Sequence, residues 1–318
     1  MKVFITGGLG FIGSHLTTYL LEQGEEIRVI DQIENDSLTE QFSCYPTYTQ
    51  VTGLVEVENV MEEHIAWCDV VIHLAATLGV RTCVEDPTKI IEGNLFPTLT
   101  ILKLAKANNK KVVFASTSEV YGKSEDLPFK ESGDRLLGAT STHRWCYSSV
   151  KALEEHLFLA AFKEGLPVTI VRYFNAYGAR AKAGMYGGVV PKFITAALHG
   201  QPLTIYGDGK QSRCFTYVLD SVKATTKAIA NHCDGQIINI GSSRELTINE
   251  LAKKVIELTG SNSPICYVPH EEAFGEGFED MQTRIPSTSK MEQLLNMKAD
   301  TDIDDGLLET ISWYRSLL

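Results

Sequence analysis

Five residues near the middle of the chain, Tyr147-Ser148-Ser149-Val150-Lys151, set a phenol and an ammonium four positions apart. On a helix those two side chains are neighbours on one face. A cation beside a phenol stabilises the phenolate and draws the tyrosine pKa toward neutrality, so the pair is suited to moving a proton to or from an alcohol. Tyr-x-x-x-Lys also arises by chance on solvated helix faces, and position decides between the two readings. Thr117 lies 30 residues before Tyr147, at the end of a predicted strand, where its hydroxyl is able to share that proton.

A second cluster opens the chain. Thr6-Gly7-Gly8-Leu9-Gly10-Phe11-Ile12-Gly13 follows a short apolar run and precedes a helical pattern. Its glycines fit two spacings of the dinucleotide turn, Gly8-x-Gly10-x-x-Gly13 and Gly7-x-x-Gly10-x-x-Gly13. Glycine permits the tight turn and lets backbone approach a pyrophosphate, which sits on the positive end of the helix dipole. A plain strand–helix turn also uses glycine. Here an acid, Asp31, ends the next predicted strand, 18 residues beyond Gly13. A carboxylate at that place hydrogen-bonds both ribose hydroxyls and repels a 2′-phosphate, which predicts NAD as cofactor rather than NADP. Gly7, Gly10, Phe11, Ile12, Gly13 and Asp31 are the candidate contacts.

The elements that must position these groups follow from the apolar pattern. Strands are predicted at Lys2–Thr6, Ile27–Asp31, Val70–Leu74 and Val112–Ser116, with helical patterns such as Gly13–Leu21 and Pro87–Ala107 between them. That alternation predicts an α/β, Rossmann-type doubly wound parallel sheet whose strand C-termini bind the ligand. Beyond about residue 172 turn residues become dense, as in Tyr177-Gly178, Gly187-Gly188 and Gly207-Asp208-Gly209. A later run, Ile237–Ile240, is expected to rejoin the sheet. The expected division is a NAD-binding domain of residues 1–172, with 215–242 returning to it. Residues 173–214 and 243–318 form a smaller, interleaved C-terminal lobe that binds substrate. A chain of 318 residues is long enough for two such units.

Composition removes other classes. Forty acidic residues against 29 basic ones give a net charge of −11, the wrong sign for a nucleic-acid surface. Hydrophobic content of 44% with 22% charged residues is that of a globular chain. The seven cysteines are scattered without a C-x-x-C pair, which predicts free thiols in a reducing compartment and no zinc site. Cys146 reads as packing and His73 as a satisfied strand-end histidine. No apolar run reaches the 18 or so residues of a membrane span, and Met1-Lys2 leads straight into a strand with no room for a signal peptide. A cytoplasmic enzyme is expected.

The ordered set TGGLGFIG, HLAA (His73–Ala76), STSEVYG (Ser116–Gly122), YSSVK and RYFNAYG (Arg172–Gly178) resembles the extended short-chain dehydrogenases/reductases, the NAD-dependent nucleotide-sugar epimerases, dehydratases and decarboxylases. The resemblance spans essentially the whole chain. It implies a catalytic triad of Thr117, Tyr147 and Lys151, the last two also touching the cofactor, and a cofactor wall of Leu74, Ala75, Ala76 and Ser116. It also implies that Asn175, Tyr206 and Arg213 hold the substrate, the arginine by pairing with phosphate oxygens. Val51-Thr52-Gly53-Leu54 departs from the pattern, because relatives carry an acid there against adenine. The family further implies a UDP-sugar substrate and a homodimer pairing the helices at Pro87–Ala107 and Tyr147–Phe162 across a two-fold axis.

The family's members begin alike: the tyrosine takes the proton of the sugar 4-hydroxyl while the C4 hydride passes to NAD. Neighbouring groups then select the outcome. Thr117-Ser118-Glu119 resembles the loop of UDP-glucuronate decarboxylases, in which the 4-ketone makes the C6 carboxylate a β-keto acid. Arg284-Ile285-Pro286 resembles their Arg-x-Pro motif, and His143-Arg144-Trp145-Cys146-Tyr147 resembles the decarboxylases more than the epimerases. The implied roles are catalysis for Glu119, and catalysis and substrate binding for Arg284. Gly79-Val80-Arg81 is epimerase-like, and Gly187-Gly188 lacks an arginine many decarboxylases show. A 4-epimerase, a 5,6-dehydratase or 5,6-ene isomerase on an N-acetylhexosamine, and a catalytically silent NAD-binding regulator stay open as alternatives.

Overall fold

The computed structural model of the chain describes residues 1–183, 188–274, 279, 281 and 283–318. Gly187 of the expected Gly187-Gly188 turn lies outside them. Six strands, β1 (Lys2–Thr6), β2 (Glu26–Asp31), β3 (Tyr48–Thr52), β4 (Val70–His73), β5 (Lys111–Thr117) and β6 (Val168–Tyr173), join Ile237–Ile240 in one seven-stranded sheet. The order is Ile237–Ile240, β6, β5, β4, β1, β2, β3, and every pair is parallel. Parallel strands are buried on both faces, which is why these segments read as unbroken apolar runs rather than alternating ones.

Alternate side chains still serve opposite layers. Val3, Ile5, Val29, Ile72, Val113 and Val171 pack under α1 (Phe11–Glu22), α2 (Asp36–Ser43) and the helix Val218–Lys227. Phe4, Val71, Val112, Phe114 and Ile170 pack under α3 (Glu58–Trp67), α5 (Pro87–Asn108) and α6 (Cys146–Lys163), with the short α4 (Val80–Glu85) beside them. Because β1 lies between β2 and β4, the chain winds away from it in both directions. A crevice therefore opens at the strand C-termini between β1 and β4.

The strand Ile237–Ile240 pairs with β6 from Ile237↔Ile170 to Ile240↔Tyr173. β5 runs one residue further than its apolar run suggests, so Thr117 is fixed in the ladder opposite Tyr173. The edge strand β3 has no fully buried residue and gives no apolar signal. α3 buries only Met61 and Ile65, too few to stand out. A separate core holds the helices Val189–Leu198, Ile248–Thr259 and Ile303–Arg315 around Phe193, Ile194, Leu251, Val255, Leu307 and Ile311. Ile248–Thr259 is bounded by a Thr247/Glu250 capping box and by Gly260 in the left-handed region.

Phe158 of α6 stacks on Phe114 of β5 at 4.4 Å between ring centroids, both wholly buried. Phe158→Ala is expected to cost about 3–5 kcal/mol, measured as a lowered urea midpoint, because the rings fasten the helix bearing Tyr147 to the sheet.

Candidate active site

At the start of the crevice, Gly7 has φ +73° and Gly10 N–H donates to Gly7 O at 3.1 Å. A Cβ on Gly7 would lie 2.8 Å from Ala75 N, and one on Gly13 would lie 2.0 Å from Gly7 O, so the turn closes only with glycine. The first turn of α1, with Phe11, Ile12 and Gly13, follows Gly10, which offers no side-chain cap. Asp31 accepts from Leu9 N–H and Ile33 N–H, each at 3.1 Å, which fixes both carboxylate oxygens at the end of β2. Leu74, Ala75 and Ala76 line the facing wall, where Ala75 N–H donates to Thr6 Oγ1 at 3.2 Å. These residues fit a dinucleotide: a cradle that a Cβ would fill, an uncapped helix start and an oriented acid.

Ser116 donates its hydroxyl to Glu155 Oε1 at 2.5 Å, and Glu155 also takes Arg172 through Nε (2.8 Å) and Nη2 (2.6 Å). Its side chain thus serves to lock α6 against β5 and β6, and any contact with a cofactor falls to its backbone.

Glu119 is the most constrained side chain of the site. Its backbone N–H donates to Thr117 Oγ1 at 3.2 Å and its carbonyl accepts from Ser148 Oγ at 2.6 Å, which ties the β5 loop to α6. Its carboxylate receives Arg284 Nη2 on Oε1 at 2.7 Å and lies 2.8 Å from Arg144 Nη1 through Oε2. Burial alone would raise its pKa, but the two guanidinium charges overcome this and hold it down at about 2. The folded state therefore holds this proton less tightly than the unfolded chain does. The stabilisation is complete above the ordinary value of 4.5 and lost as pH falls toward 2.

Arg284 comes from the second core. Its strand Thr283–Arg284 pairs in parallel with Ser212–Cys214, setting Arg284 opposite Arg213. Phe129 grips the next residues, donating from N–H to Ile285 O and accepting from Ser287 N–H, each at 2.8 Å. The guanidinium also points Nη1 at Ser118 Oγ (3.4 Å) and at Asn175 Oδ1 (3.5 Å). Arg213 donates to the carbonyls of Met281 and Ser212 at 2.7 and 2.8 Å, which gives Met281 a part the sequence does not suggest. Tyr206 belongs to a different small sheet, paired with Val268.

Thus the structure brings Glu119, Arg284 and Asn175 together beside Thr117 and Ser148, and sets Arg213 next to Arg284 in the strand pairing. It adds Arg144, which sequence reasoning quotes only within a motif. Arg144 is buried, with its guanidinium 5.3 Å from the centre of the Trp145 ring, and Trp145 Nε1–H donates to Glu279 at 2.8 Å. The signal available was an arginine beside Trp145 and Cys146, three residues before Tyr147.

Burial pushes the pKa of the Tyr147 hydroxyl up, and the charges of Glu119 and Glu154 push the same way. Lys151, buried on α6, spends its charge on Glu154 Oε2 at 3.0 Å. Pairing the phenol with the ammonium alone leaves out both the desolvation and the carboxylates. His73 is buried with both ring nitrogens engaged, and Cys146 packs with Cys83, Ile90 and Val150, as expected. Among the described residues there is no cluster that could hold a metal ion, and no helix is long and apolar enough to cross a membrane.

Fold and site together define an NAD-dependent enzyme of the Rossmann class. The chain belongs to the NAD dependent epimerase/dehydratase family, whose model matches residues 3–241. It is 46% identical to a UDP-N-acetyl-alpha-D-glucosaminuronate decarboxylase of Bacillus cytotoxicus, over 99% of this chain and 98% of the relative. Among solved structures it is similar to UDP-glucuronic acid 4-epimerase from Bacillus cereus, in complex with UDP-glucuronic acid and NAD (26% identity, TM-score 0.87, all of both chains). It is also similar to UDP-glucose 4-epimerase from Thermotoga maritima with UDP-glucose (28% identity, TM-score 0.89, 100% of this chain and 99% of that one).

Asp31→Ala removes the group expected to bind the ribose hydroxyls and repel a 2′-phosphate. The NADP-to-NAD ratio of dissociation constants, read by calorimetry, is expected to fall at least about tenfold, and tighter binding of NADP by the unaltered protein contradicts the assignment.

Proposed function

We propose that the protein is a UDP-uronate decarboxylase, with UDP-N-acetylglucosaminuronate as substrate. The observation that carries this reading is the Arg144–Glu119–Arg284 cluster. Two guanidiniums converge there on one carboxylate at the end of β5, an arrangement that suits a sugar carboxylate. The relative from Bacillus cytotoxicus supports the same reaction and supplies the N-acetyl group.

The state of Glu119 argues against the alternatives. A dehydratase needs an acid to protonate the departing C6 hydroxyl and a base to take the C5 proton. A carboxyl held at about 2 is ionised at neutral pH and only weakly basic, so it serves neither role well. Decarboxylation needs neither. NAD, held by the glycine turn and Asp31, would accept hydride from C4 and return it to C4 once CO2 has left. Tyr147, as the phenolate, takes the 4-hydroxyl proton, assisted by Thr117, and Lys151 is its counter-charge. Arg284 and Arg144 orient the C6 carboxylate; the C5–C6 bond then breaks, its electron pair passing toward the C4 oxygen. Tyr147, now protonated, hydrogen-bonds that enolate oxygen, and C5 takes a proton from solvent as the C4 ketone re-forms. Asn175 and Arg213 are assigned to the substrate's far end, and Arg213 is suited to the diphosphate.

The test is incubation with UDP-N-acetylglucosaminuronate and UDP-glucuronate, with mass detection of the product. Loss of one CO2 is expected. Tyr147→Phe is expected to lower the rate by about 10²–10⁴-fold with no NADH formed, whereas Arg284→Gln is expected to form NADH and accumulate a 4-keto sugar. A product that is only the C4 epimer replaces this reading with the 4-epimerase one.

We further infer a homodimer through α5 and α6. Ile91, Phe96 and Leu99 on α5 and Leu153 on α6 are large apolar side chains left exposed on neighbouring helices. Light scattering at micromolar concentration is expected to give twice the chain mass, and Phe96→Glu to give the monomer.

A further inference from the structure

Behind Lys151 runs a buried polar chain that the reaction outlined above does not use. Glu154, one turn along α6, takes Lys151 on Oε2 at 3.0 Å and accepts from Thr98 Oγ1 on Oε1 at 2.5 Å. Thr98 lies 3.3 Å from His73 Nε2, and His73 Nδ1 lies 2.7 Å from Thr6 Oγ1. Thr6 Oγ1 in turn accepts from Ala75 N–H. Thr6, His73, Thr98, Lys151 and Glu154 are all buried, and they come from β1, β4, α5 and α6.

Donor counting gives the chain one direction. An ionised carboxylate only accepts, so the single hydroxyl hydrogen of Thr98 is spent on Glu154. Thr98 must then accept from His73, which requires the proton on Nε2. Nδ1 is left as an acceptor and receives the hydroxyl of Thr6. Every hydrogen bond from Ala75 to Glu154 points the same way, toward the carboxylate that faces Lys151.

We propose that Glu154 is the positioning residue for Lys151, and that through Thr98 and His73 it locks the ammonium to Thr6 and Ala75 at the glycine turn. The proposal rests on reading Tyr147 and Lys151 as the proton-moving pair. It extends that reading by making the Lys151 charge a shared one: Glu154 offsets it, and so raises the pH at which the Tyr147 phenol gives up its proton. Among the described residues the surroundings supply no substitute. Lys151 Nζ stands 4.0 Å from the centre of the Phe114 ring on β5, and His73 faces it from β4 as a neutral ring, its pKa pushed to about 3 by burial and then by Lys151. Tyr147 is faced by Glu119 from the β5 loop, by Glu154 from its own helix and by Cys83 from α4.

Two measurements test it. Nitrogen-resolved imidazole spectra of the full chain, with His73 assigned through His73→Gln, are expected to show Nε2 protonated and Nδ1 bare from about pH 6 to 8. The Nδ1–H tautomer or a charged ring overturns the chain. Thr98→Val, which removes the acceptor without changing any charge, is expected to speed exchange of the Nε2 proton at least about tenfold, and unchanged exchange also overturns it. The second measurement is the pH dependence of NADH formation in a single turnover. Glu154→Gln leaves the ammonium uncompensated, lowers the Tyr147 pKa and is expected to move the acid limb down by about one pH unit, while Glu154→Asp keeps it in place. An acid limb for Glu154→Gln that coincides with that of the unaltered enzyme refutes the charge-sharing role. NADH forms before CO2 is lost, so an enzyme that reduces NAD without releasing CO2 overturns the decarboxylase reading alone.

Discussion

Two buried guanidiniums cannot stand near each other without an anion between them, and that constraint organises this protein. Taking an arginine out of water costs several kcal/mol unless it is paired and hydrogen-bonded. Arg144 and Arg284 meet the requirement through the same carboxylate, Glu119, one on each oxygen. Arg144 arrives at the start of α6, Glu119 from the turn after β5, and Arg284 from a short strand of the second core. The cluster therefore works only if the sheet, the helix carrying Tyr147 and the strand Thr283–Arg284 are all in place. The bonds from Ser148 to Glu119 O, from Phe129 N–H to Ile285 O and from Ser287 N–H to Phe129 O are the struts that hold them there.

The pairing also explains why α6 is so rich in buried charge. Along one helix Lys151 is matched by Glu154, and Glu155 is matched by Arg172. Each pair joins a different neighbour: Glu155 takes Ser116 from β5, and Glu154 takes Thr98 from α5. A helix fixed by apolar packing alone could slide by fractions of an ångström with little penalty. Directional, charge-assisted bonds remove that freedom, and proton transfer from a bound alcohol is steep in distance.

What the sequence discloses follows from how far apart the interacting residues are along the chain. The nucleotide turn is legible because its glycines, first helix and Asp31 lie within one strand–helix–strand unit and each residue type has a local steric or electrostatic reason. Tyr147 and Lys151 are legible because four positions along a helix guarantee proximity. The strand Ile237–Ile240 is legible as a buried apolar run. β3 is not, because an edge strand with half-buried side chains carries no apolar contrast. Arg144 goes unassigned because its partner, Glu119, sits on a separate element, and nothing local shows whether an arginine before α6 faces water or a carboxylate. For the Tyr147 phenol the sequence shows only the lysine four residues away, whereas burial and two acids, one of them brought in by the fold, act on it as well.

The proposed reaction gives the odd carboxylate a reason to be there. Two unopposed guanidiniums would hold a sugar carboxylate tightly, and that grip would be strongest before the C5–C6 bond breaks. As CO2 forms, negative charge leaves C6 and gathers on the C4 oxygen, beside Tyr147 and Thr117 and away from the arginines. Binding that favours the starting carboxylate over the transition state slows the step, because only interactions that strengthen on the way to the transition state accelerate it. Glu119 offsets part of the positive charge of the two arginines, which leaves them able to orient an acid sugar but less able to trap it. Its carboxylate stays ionised through the working pH range because both arginines hold it so. On this account Glu119 contributes as a fixed negative charge rather than by exchanging protons, and Thr-Ser-Glu suits a reaction in which the carboxylate, not a hydroxyl, is the group that leaves.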